Sequence, residues 1–534
     1  MKDSVTRPAA GPAAAAVRRD SILSRLRSGR PSIPLALPGV ASLALLLRLP
    51  NLTESLWFDE LWATRVMLGE LPTLWTTILL DTHPPVYSGL MFLWITLFGD
   101  SELSIRLPPL IFGVGSVALT YLVGPRYVSR TATVLACLLL ALSPVHIWYS
   151  QEARPYSAAV CLVLLAVFAY HKLEESPRSA LWSTVYFGSM WSAVLTHLYV
   201  TAYLALISAI CLRSGRVKTR VLSMNVVIAL SLASFLFVKH HVYGSPPITE
   251  LSHLRPFTPP ELWMLFFNWF SFGNAIWSLS PYSHLRGLVQ NPVLVIFQII
   301  FSVVFARGLV RVWRESRHSI ELLAFLFLLP LSLMAVSLIG FGRTYIERSL
   351  LVVLPYFYLG LAEGVTGFRR AWVTTVAATA VIGVSTVALV GYFSKQDVWT
   401  VYKPNPDWRS AARYLDSNHT TSETSLLIAA TPATELLYYG RGFSEAWGLD
   451  GVASLPAASS SIGGRVELRY VDRETGLCGM VAARKLGTFY LIKNGYWLGS
   501  VNRHLDDIRS DRRCQLVEAQ SFKGLEIYRF RLAG

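Results

Sequence analysis

Charge is what this sequence has least of. Of its 534 residues only 15% are Asp, Glu, Lys or Arg, against about a quarter in ordinary soluble domains, and 53% are hydrophobic. With a mean hydropathy of +0.44, that composition excludes a simple soluble chain and indicates a membrane protein. Acids are the scarcer sign, 33 against 48 Lys and Arg, which leaves a formal net charge of +15. The basic residues gather on no soluble face. They fall in short clusters between apolar runs, which excludes a nucleic-acid partner and points to the cytoplasmic membrane surface. Cysteine is also rare: five residues, with no CxxC pair and no HExxH. Cys137, Cys161 and Cys211 lie in apolar runs and read as small buried hydrophobes, whereas Cys478 and Cys514 share a region where a disulfide is permitted. No nucleotide-binding loop and no 20–50-residue repeat is present.

Long apolar runs are what the sequence does have. Segments of roughly 17 to 23 apolar residues are long enough to cross a bilayer. About eleven are predicted, at 33–50, 104–122, 131–149, 154–171, 180–196, 198–212, 221–239, 291–310, 319–340, 349–366 and 371–392. The connections "RYVSR", "RSGRVKTR", "RGLVRVWRESRH" and "FRR" are basic and fall on alternate turns. The positive-inside rule then predicts a cytoplasmic amino end and an extracytoplasmic carboxyl end. "PVYSGLMFLWITLFG" (85–99) is short for a span and is predicted to lie on the outer surface. That makes 51–103 one outer loop, carrying Glu54, Asp59, Glu60, Glu70, Asp81, Asp100 and Glu102 against Arg65 alone. "PPELWMLFFNWF" in a second outer region is predicted to be an interfacial helix.

Residues 1–32, rich in Ala, Pro, Arg and Ser, read as a disordered cytoplasmic tail. Residues 33–392 form the transmembrane domain. From 393 to 534 charge returns, with short apolar runs at 425–430, 488–493 and 525–532 and helical stretches "DWRSAARYLDSN" and "SVNRHLDDIRSD". This is the pattern of a small extracytoplasmic α/β domain.

Against that background "SLWFDELW" (55–62) is anomalous, because it sets two acids at a membrane boundary. A carboxylate near hydrocarbon faces a polar cavity or a partner. Asp59 would otherwise simply cap the helix that follows it. Adjacent helical residues diverge by about 100°, so Asp59 and Glu60 cannot both face one reacting atom. One is a candidate general base and the other a pairing or organising group. At the same predicted face lie His83 in "DTHPP", Arg106 in "SELSIRLPP", Glu152 and Arg154 in "SPVHIWYSQEARPYS", the "KHH" at 239–241, and Arg343 and Arg348 in "GRTYIERS". Arg106 is four residues beyond Glu102, a spacing suited to a local ion pair. Arginine grips phosphate bidentately, so acids with several arginines point to an anionic, membrane-embedded donor. Glu60, Asp81 and His83 are the candidates for holding a divalent cation; no cofactor is otherwise implied.

"WFDELW", "THPP", "LFGDSELSIRLPPLIFG", "SPVHIWYSQEARPYS" and "IERSLLVVLPYFYLGLAEG", in that order, resemble the polyprenyl-phosphate-dependent GT-C glycosyltransferases. The branch they resemble is that of protein O-mannosyltransferases and bacterial aminoarabinose-to-lipid A transferases. The resemblance covers about 33–392. It implies a GT-C transmembrane fold in which Asp59 is the catalytic base and Glu60 organises the site. It also implies His83, Arg106, Arg154 and Arg348 near the donor phosphate. Ser349 follows Arg348 where the family has tyrosine, which makes Arg343 a substitute. The expected reaction moves a sugar with inversion from a polyprenyl-phosphate donor to an outer-face acceptor (glycan, lipid or protein). A flippase for lipid-linked sugars would show charges inside spans or broken helices in repeated halves, neither of which is evident. An inactive scaffold would have lost the Asp59–Glu60 pair.

Overall fold

The structure is a computed structural model. It describes residues 36–57, 59–61, 78–79, 81, 83–213, 217–243, 258–271, 273, 292–341, 347–394, 405–418, 425–429, 445–448, 461–462, 466–470, 478, 488–494, 505–506 and 508–532. The predicted tail at 1–32 and Arg343 lie outside them.

A helical bundle comes first in the chain. Its helices are α1 (Ala36–Leu46), α2 (Pro85–Phe98), α3 (Glu102–Val123), α4 (Arg130–Leu142), α5 (Pro144–Gln151), α6 (Tyr156–Glu175) and α7 (Ala180–Val194). There follow α8 (Thr201–Arg213), α9 (Lys218–Tyr243), α10 (Pro259–Met264), α11 (Pro292–Glu315), α12 (Ser319–Val336), α13 (Leu354–Thr366) and α14 (Ala371–Ser394). Among the described residues seven stretches are long and apolar enough to cross a membrane, and an eighth if the bent pair α4–α5 counts as one span. Every one of the eleven predicted segments coincides with a helix or with that pair. The segments at 33–50, 180–196 and 198–212 appear as the shorter helices α1, α7 and α8.

Burial sorts the bundle into centre and rim. The stretch Glu347–Thr366 is 89% buried inside the protein, whereas Lys218–Val242 and Ala371–Ser394 are 22% buried and present apolar faces outward. The central α13 approaches α11 backbone to backbone. A Cβ on Gly308 would come within 1.9 Å of the Gly360 carbonyl oxygen, and one on Gly364 within 1.9 Å of the Val304 oxygen. Only glycine permits that approach, the means by which membrane helices gain close packing.

Residues Leu265–Phe270 continue α10 as a π-helical turn, and all six are buried. Phe266 and Phe270 meet Phe357 at 5.7 and 5.8 Å, and Phe266 meets Phe305 at 6.1 Å. The interfacial helix predicted here is corrected: its aromatic half faces protein. Aromatic enrichment is the same whether the apolar neighbour is a headgroup boundary or a helix.

The carboxyl-terminal region is an α/β domain. It contains α15 (Trp408–Asn418) and strands β1 (Ser425–Ala429), β2 (Glu445–Gly448), β3 (Ser461–Ile462), β4 (Val466–Tyr470), β5 (Thr488–Asn494), β6 (Cys514–Phe522) and β7 (Leu525–Leu532). The sheet order is β3-β4-β2-β1-β5-β7-β6. Its centre is parallel, β1 pairing with both β2 and β5, and β5–β7–β6 closes one edge antiparallel. Trp408, Ala411, Ala412 and Leu415 recur at helical spacing and bury against Tyr490, Ile492, Leu525 and Ile527. Cys478 and Cys514 form a disulfide.

Candidate active site

The site is assembled where chain breaks interrupt helices at one end of the bundle. Pro144 has no N–H to continue α4, and the chain bends by 57° between α4 and α5. The Ser143 hydroxyl accepts the His146 N–H and restarts the helix. After Gln151 the chain turns again, with the Arg154 N–H donating to the Glu152 carbonyl at 2.7 Å, before α6 begins at Tyr156. Glu152 and Arg154 are therefore displayed on a short, fully buried connection.

Asp59 and Glu60 meet different fates. Glu60 is 1% exposed and takes a bidentate bond from Arg106, Nε to Oε1 at 2.8 Å and Nη2 to Oε2 at 2.6 Å. The Ala153 and Trp57 N–H groups donate to it as well, at 3.1 and 3.3 Å. Arg106 spends its other donors on the carbonyls of Leu52, Glu54 and Ser55, at 3.0, 2.6 and 3.2 Å. The expectation that Arg106 binds the donor phosphate is corrected here. It is itself 1% exposed, saturated by protein acceptors, and built into the wall behind the site. Glu102, four residues earlier, is engaged by Arg409.

Asp59 is partly exposed, and its Oδ2 meets Arg348 Nη2 at 3.1 Å. Arg348 stands on the 3₁₀ turn Glu347–Val353 that leads into α13, with its guanidinium 5.6 Å from the Tyr156 ring centroid. Arg154 reaches the Asp59 carbonyl at 3.3 Å and comes within 3.4 Å of His83 Nδ1. Burial works against the charge of Arg154, but Tyr156, Asp59 and Asp81 together hold its pKa above the usual value. Two cations thus flank one acid at one end of the bundle, an arrangement able to hold an anionic group beside a base.

Residues 82–238 match the family described as dolichyl-phosphate-mannose-protein mannosyltransferase. Among solved structures the chain is similar to ArnT from Cupriavidus metallidurans in the apo state. The TM-score is 0.55, with 12% identity over 93% of this chain and 97% of that one. The chain has the fold of ArnT. ArnT from the same organism bound to undecaprenyl phosphate gives a TM-score of 0.52, again at 12% identity and with the same coverage. No curated protein sequence matches. The family segment includes His83, Arg106 and Arg154 but neither Asp59 nor Arg348, which the fold brings to it.

Around this centre the structure joins Asp81, His83 and Lys239, which the sequence places at one face without showing that they touch. The Asp81 carboxylate accepts from the His83 N–H at 3.0 Å and from its ring Nδ1 at 3.1 Å, and Lys239 from α9 donates to the Asp81 carbonyl. Burial favours protonation of Asp81, but its bonds to His83 and the field of Arg154 outweigh it and hold the carboxyl well below the usual range. Burial, with Arg154 and Arg348, lowers the pKa of His83 against the pull of Asp81. A neutral ring donating Nδ1–H to Asp81 satisfies both. His83 also packs at 5.4 Å from His197 and 5.9 Å from Tyr156. The three residues named for a divalent cation are divided: Glu60 is committed to Arg106, and Asp81 and His83 to one another. Among the described residues no group of three or more His, Cys, Asp or Glu gathers as a metal site.

Glu152 is the least expected feature. It is 3% exposed, and among the described residues neither carboxylate oxygen has a hydrogen-bond partner. Burial pushes its carboxyl up to about 8, Arg348 opposing the rise and Asp59 and Glu60 adding to it. With Asn51, Glu54, Trp57, Gln151, Tyr392 and Asn405 it lines a small cavity behind the Glu60–Arg106 pair. A lone Glu beside "ARPY" carries no pattern that separates it from an ordinary polar turn residue.

Proposed function

We propose that this chain is an inverting glycosyltransferase that takes its sugar from a polyprenyl-phosphate donor and passes it to an acceptor on the outer face of the inner membrane. Asp59 is the general base. It removes the proton from the acceptor nucleophile as that atom attacks the anomeric carbon, and the bond from that carbon to the phosphate oxygen breaks. Arg348 and Arg154 bind the phosphate and stabilise the negative charge that grows on it as it leaves. The acceptor's proton ends on Asp59, and polyprenyl phosphate departs as an anion.

The observation that carries this reading is the Asp59–Arg348 contact at 3.1 Å with Arg154 alongside. A phosphate bound beside Arg348 competes with Asp59 for that guanidinium, so donor binding itself releases the base. The GT-C fold supports the reaction class, and the undecaprenyl phosphate bound by ArnT supports a lipid-phosphate donor. Basic connections on alternate turns support a cytoplasmic amino end and an extracytoplasmic carboxyl-terminal domain.

The test is donor turnover in proteoliposomes supplied with a panel of polyprenyl-phosphate sugars and an envelope extract. Asp59→Asn is expected to lose roughly 10² to 10⁴ of acceptor-dependent polyprenyl phosphate release, the usual worth of a general base, while still binding donor. Equal turnover in wild type and variant removes Asp59 as the base. Passage of intact donor across the bilayer without its cleavage replaces the transferase reading with a transporter.

A further inference from the structure

The loop that carries Asp59 is held from two sides. From within the bundle Arg106 gathers the carbonyls of Leu52, Glu54 and Ser55 and chelates Glu60. From the opposite side the carboxyl-terminal domain closes on the same residues. Arg409, at the start of α15, donates Nη2 to the Thr53 carbonyl at 3.1 Å and pairs with Glu102; its backbone N–H donates to the Ser55 hydroxyl at 3.3 Å. Lys523, on the turn between β6 and β7, meets Glu54 Oε1 at 3.2 Å. These two contacts are one unit, because the Asp407 N–H donates to the Lys523 carbonyl at 2.9 Å. That turn needs its glycine: Gly524 has φ +73°, and a Cβ there would meet Pro406 at 3.4 Å.

Two observations separate this from ordinary domain packing. Among the described residues these bonds fall on residues 53–55, four to six positions before the carboxylate that faces Arg348, and on Glu102 at the start of α3. Three loop acceptors (Thr53 O, Glu54 Oε1 and Ser55 Oγ) take a donor from this domain while the carbonyls of Leu52, Glu54 and Ser55 take Arg106, so neither arginine alone fixes the segment. A loop pinned on one side keeps rotational freedom about the pinned carbonyls, and a base displaced by about 1 Å costs on the order of a hundredfold in rate.

We infer that Arg409 is a positioning residue for the reaction: through Thr53, Ser55 and Glu102 it sets the loop that presents Asp59, so the carboxyl-terminal domain takes part in catalysis without touching the donor. Only the kinetic arm of the test rests on the transferase reading.

The experiment uses the full chain in nanodiscs and compares wild type with Arg409→Ala, Arg409→Lys, Glu102→Gln and Arg513→Ala. Arg513 pairs with Asp511 on the exposed side of the same domain and serves as the control. Amide hydrogen exchange of residues 52–61 is expected to quicken in Arg409→Ala, less so in Arg409→Lys and Glu102→Gln, with β5 and β7 unchanged. With an undecaprenyl-phosphate sugar as probe, kcat is expected to fall about tenfold or more in Arg409→Ala while the donor KM stays within about twofold, and Arg409→Lys recovers part of the loss. Unchanged exchange in 52–61, or quickened exchange with unchanged kcat, overturns the inference. General loss of protection across β5 and β7 in Arg409→Ala moves the decision to Arg409→Lys and Glu102→Gln, whose exchange and kcat must move together. If the wild type turns over no donor, the transferase reading fails, and exchange in 52–61 alone decides whether Arg409 sets the loop.

Discussion

The two ends of the same helices use charge in opposite ways. α6 starts at Tyr156 beside Arg154 and Arg348 and reaches Glu174 eighteen residues later, about 27 Å away. At that far end Glu174 pairs with Arg126, Arg311 on α11 bridges Glu315 and Glu363, and Lys172 pairs with Glu175. Most of those side chains are a fifth or more exposed, and each acid has a basic neighbour. At the Asp59 end one pair is sealed at 1% exposure, one acid shares its arginine across an open face, and Glu152 is buried with no partner for either oxygen among the described residues. Matched, wet pairs hold an end in place. Mismatched, buried charge is retained where something else is to be bound.

The largest expected effect comes from breaking the functional side of that comparison. Arg348→Ala removes the cation facing Asp59 and should lower transfer by two orders of magnitude or more, measured as polyprenyl phosphate release in proteoliposomes. Arg311→Ala, at the far end, should leave turnover within about twofold.

Next comes stability. Arg106→Ala leaves the Glu60 carboxylate buried and unpaired, which costs about 3–5 kcal/mol; the variant should purify poorly or melt well below the wild type. Arg126→Ala breaks a partly exposed pair worth about 0–1 kcal/mol and should melt nearly normally. Melting both in one detergent decides whether Arg106 is a wall residue, as its contacts require.

A third test concerns pH. The Glu152 carboxyl titrates near 8 in the folded chain and in the usual carboxylate range when unfolded. Between those values the native state holds a proton that the unfolded state has released, so stability falls as pH rises from about 4.5 through 8. Glu152→Gln should therefore melt close to the wild type at pH 5 and several degrees above it at pH 8.5. A wild-type melting temperature that does not decline across that window relative to Glu152→Gln contradicts the buried, unpartnered carboxyl. The smallest effect belongs to Lys172→Ala, an exposed i,i+3 pair with Glu175, expected to change neither melting nor turnover measurably.

Much of the fold was legible because hydrophobic length and period are local properties. The spans and strands β1, β5 and β7 announce themselves in consecutive residues, whereas the 57° bend inside the segment predicted as one span at 131–149 does not. β2, β4 and β6 do not, since they are short or carry mixed polarity and owe their strand state to neighbours on the sheet. The site was half legible. Asp59, His83, Arg154 and Arg348 stand out as charges at the ends of apolar runs, and the fold does gather them. Arg106 stood out for the same reason and was assigned wrongly. A charge at a span end looks identical whether it faces a ligand or a carboxylate 46 residues away.

The sequence by itself determined a membrane-embedded helical bundle, an α/β appendage and an acid pair set at a boundary where charge is costly. Those follow from transfer energies that each residue carries wherever it lies. Only the tertiary structure decided which acid faces which arginine. Glu60 became part of the wall because Arg106 and two backbone N–H groups converge on it, and Asp59 stayed partly exposed beside Arg348 and Arg154. That outcome depends on distances of about 3 Å between segments far apart in the chain, which no composition or spacing encodes.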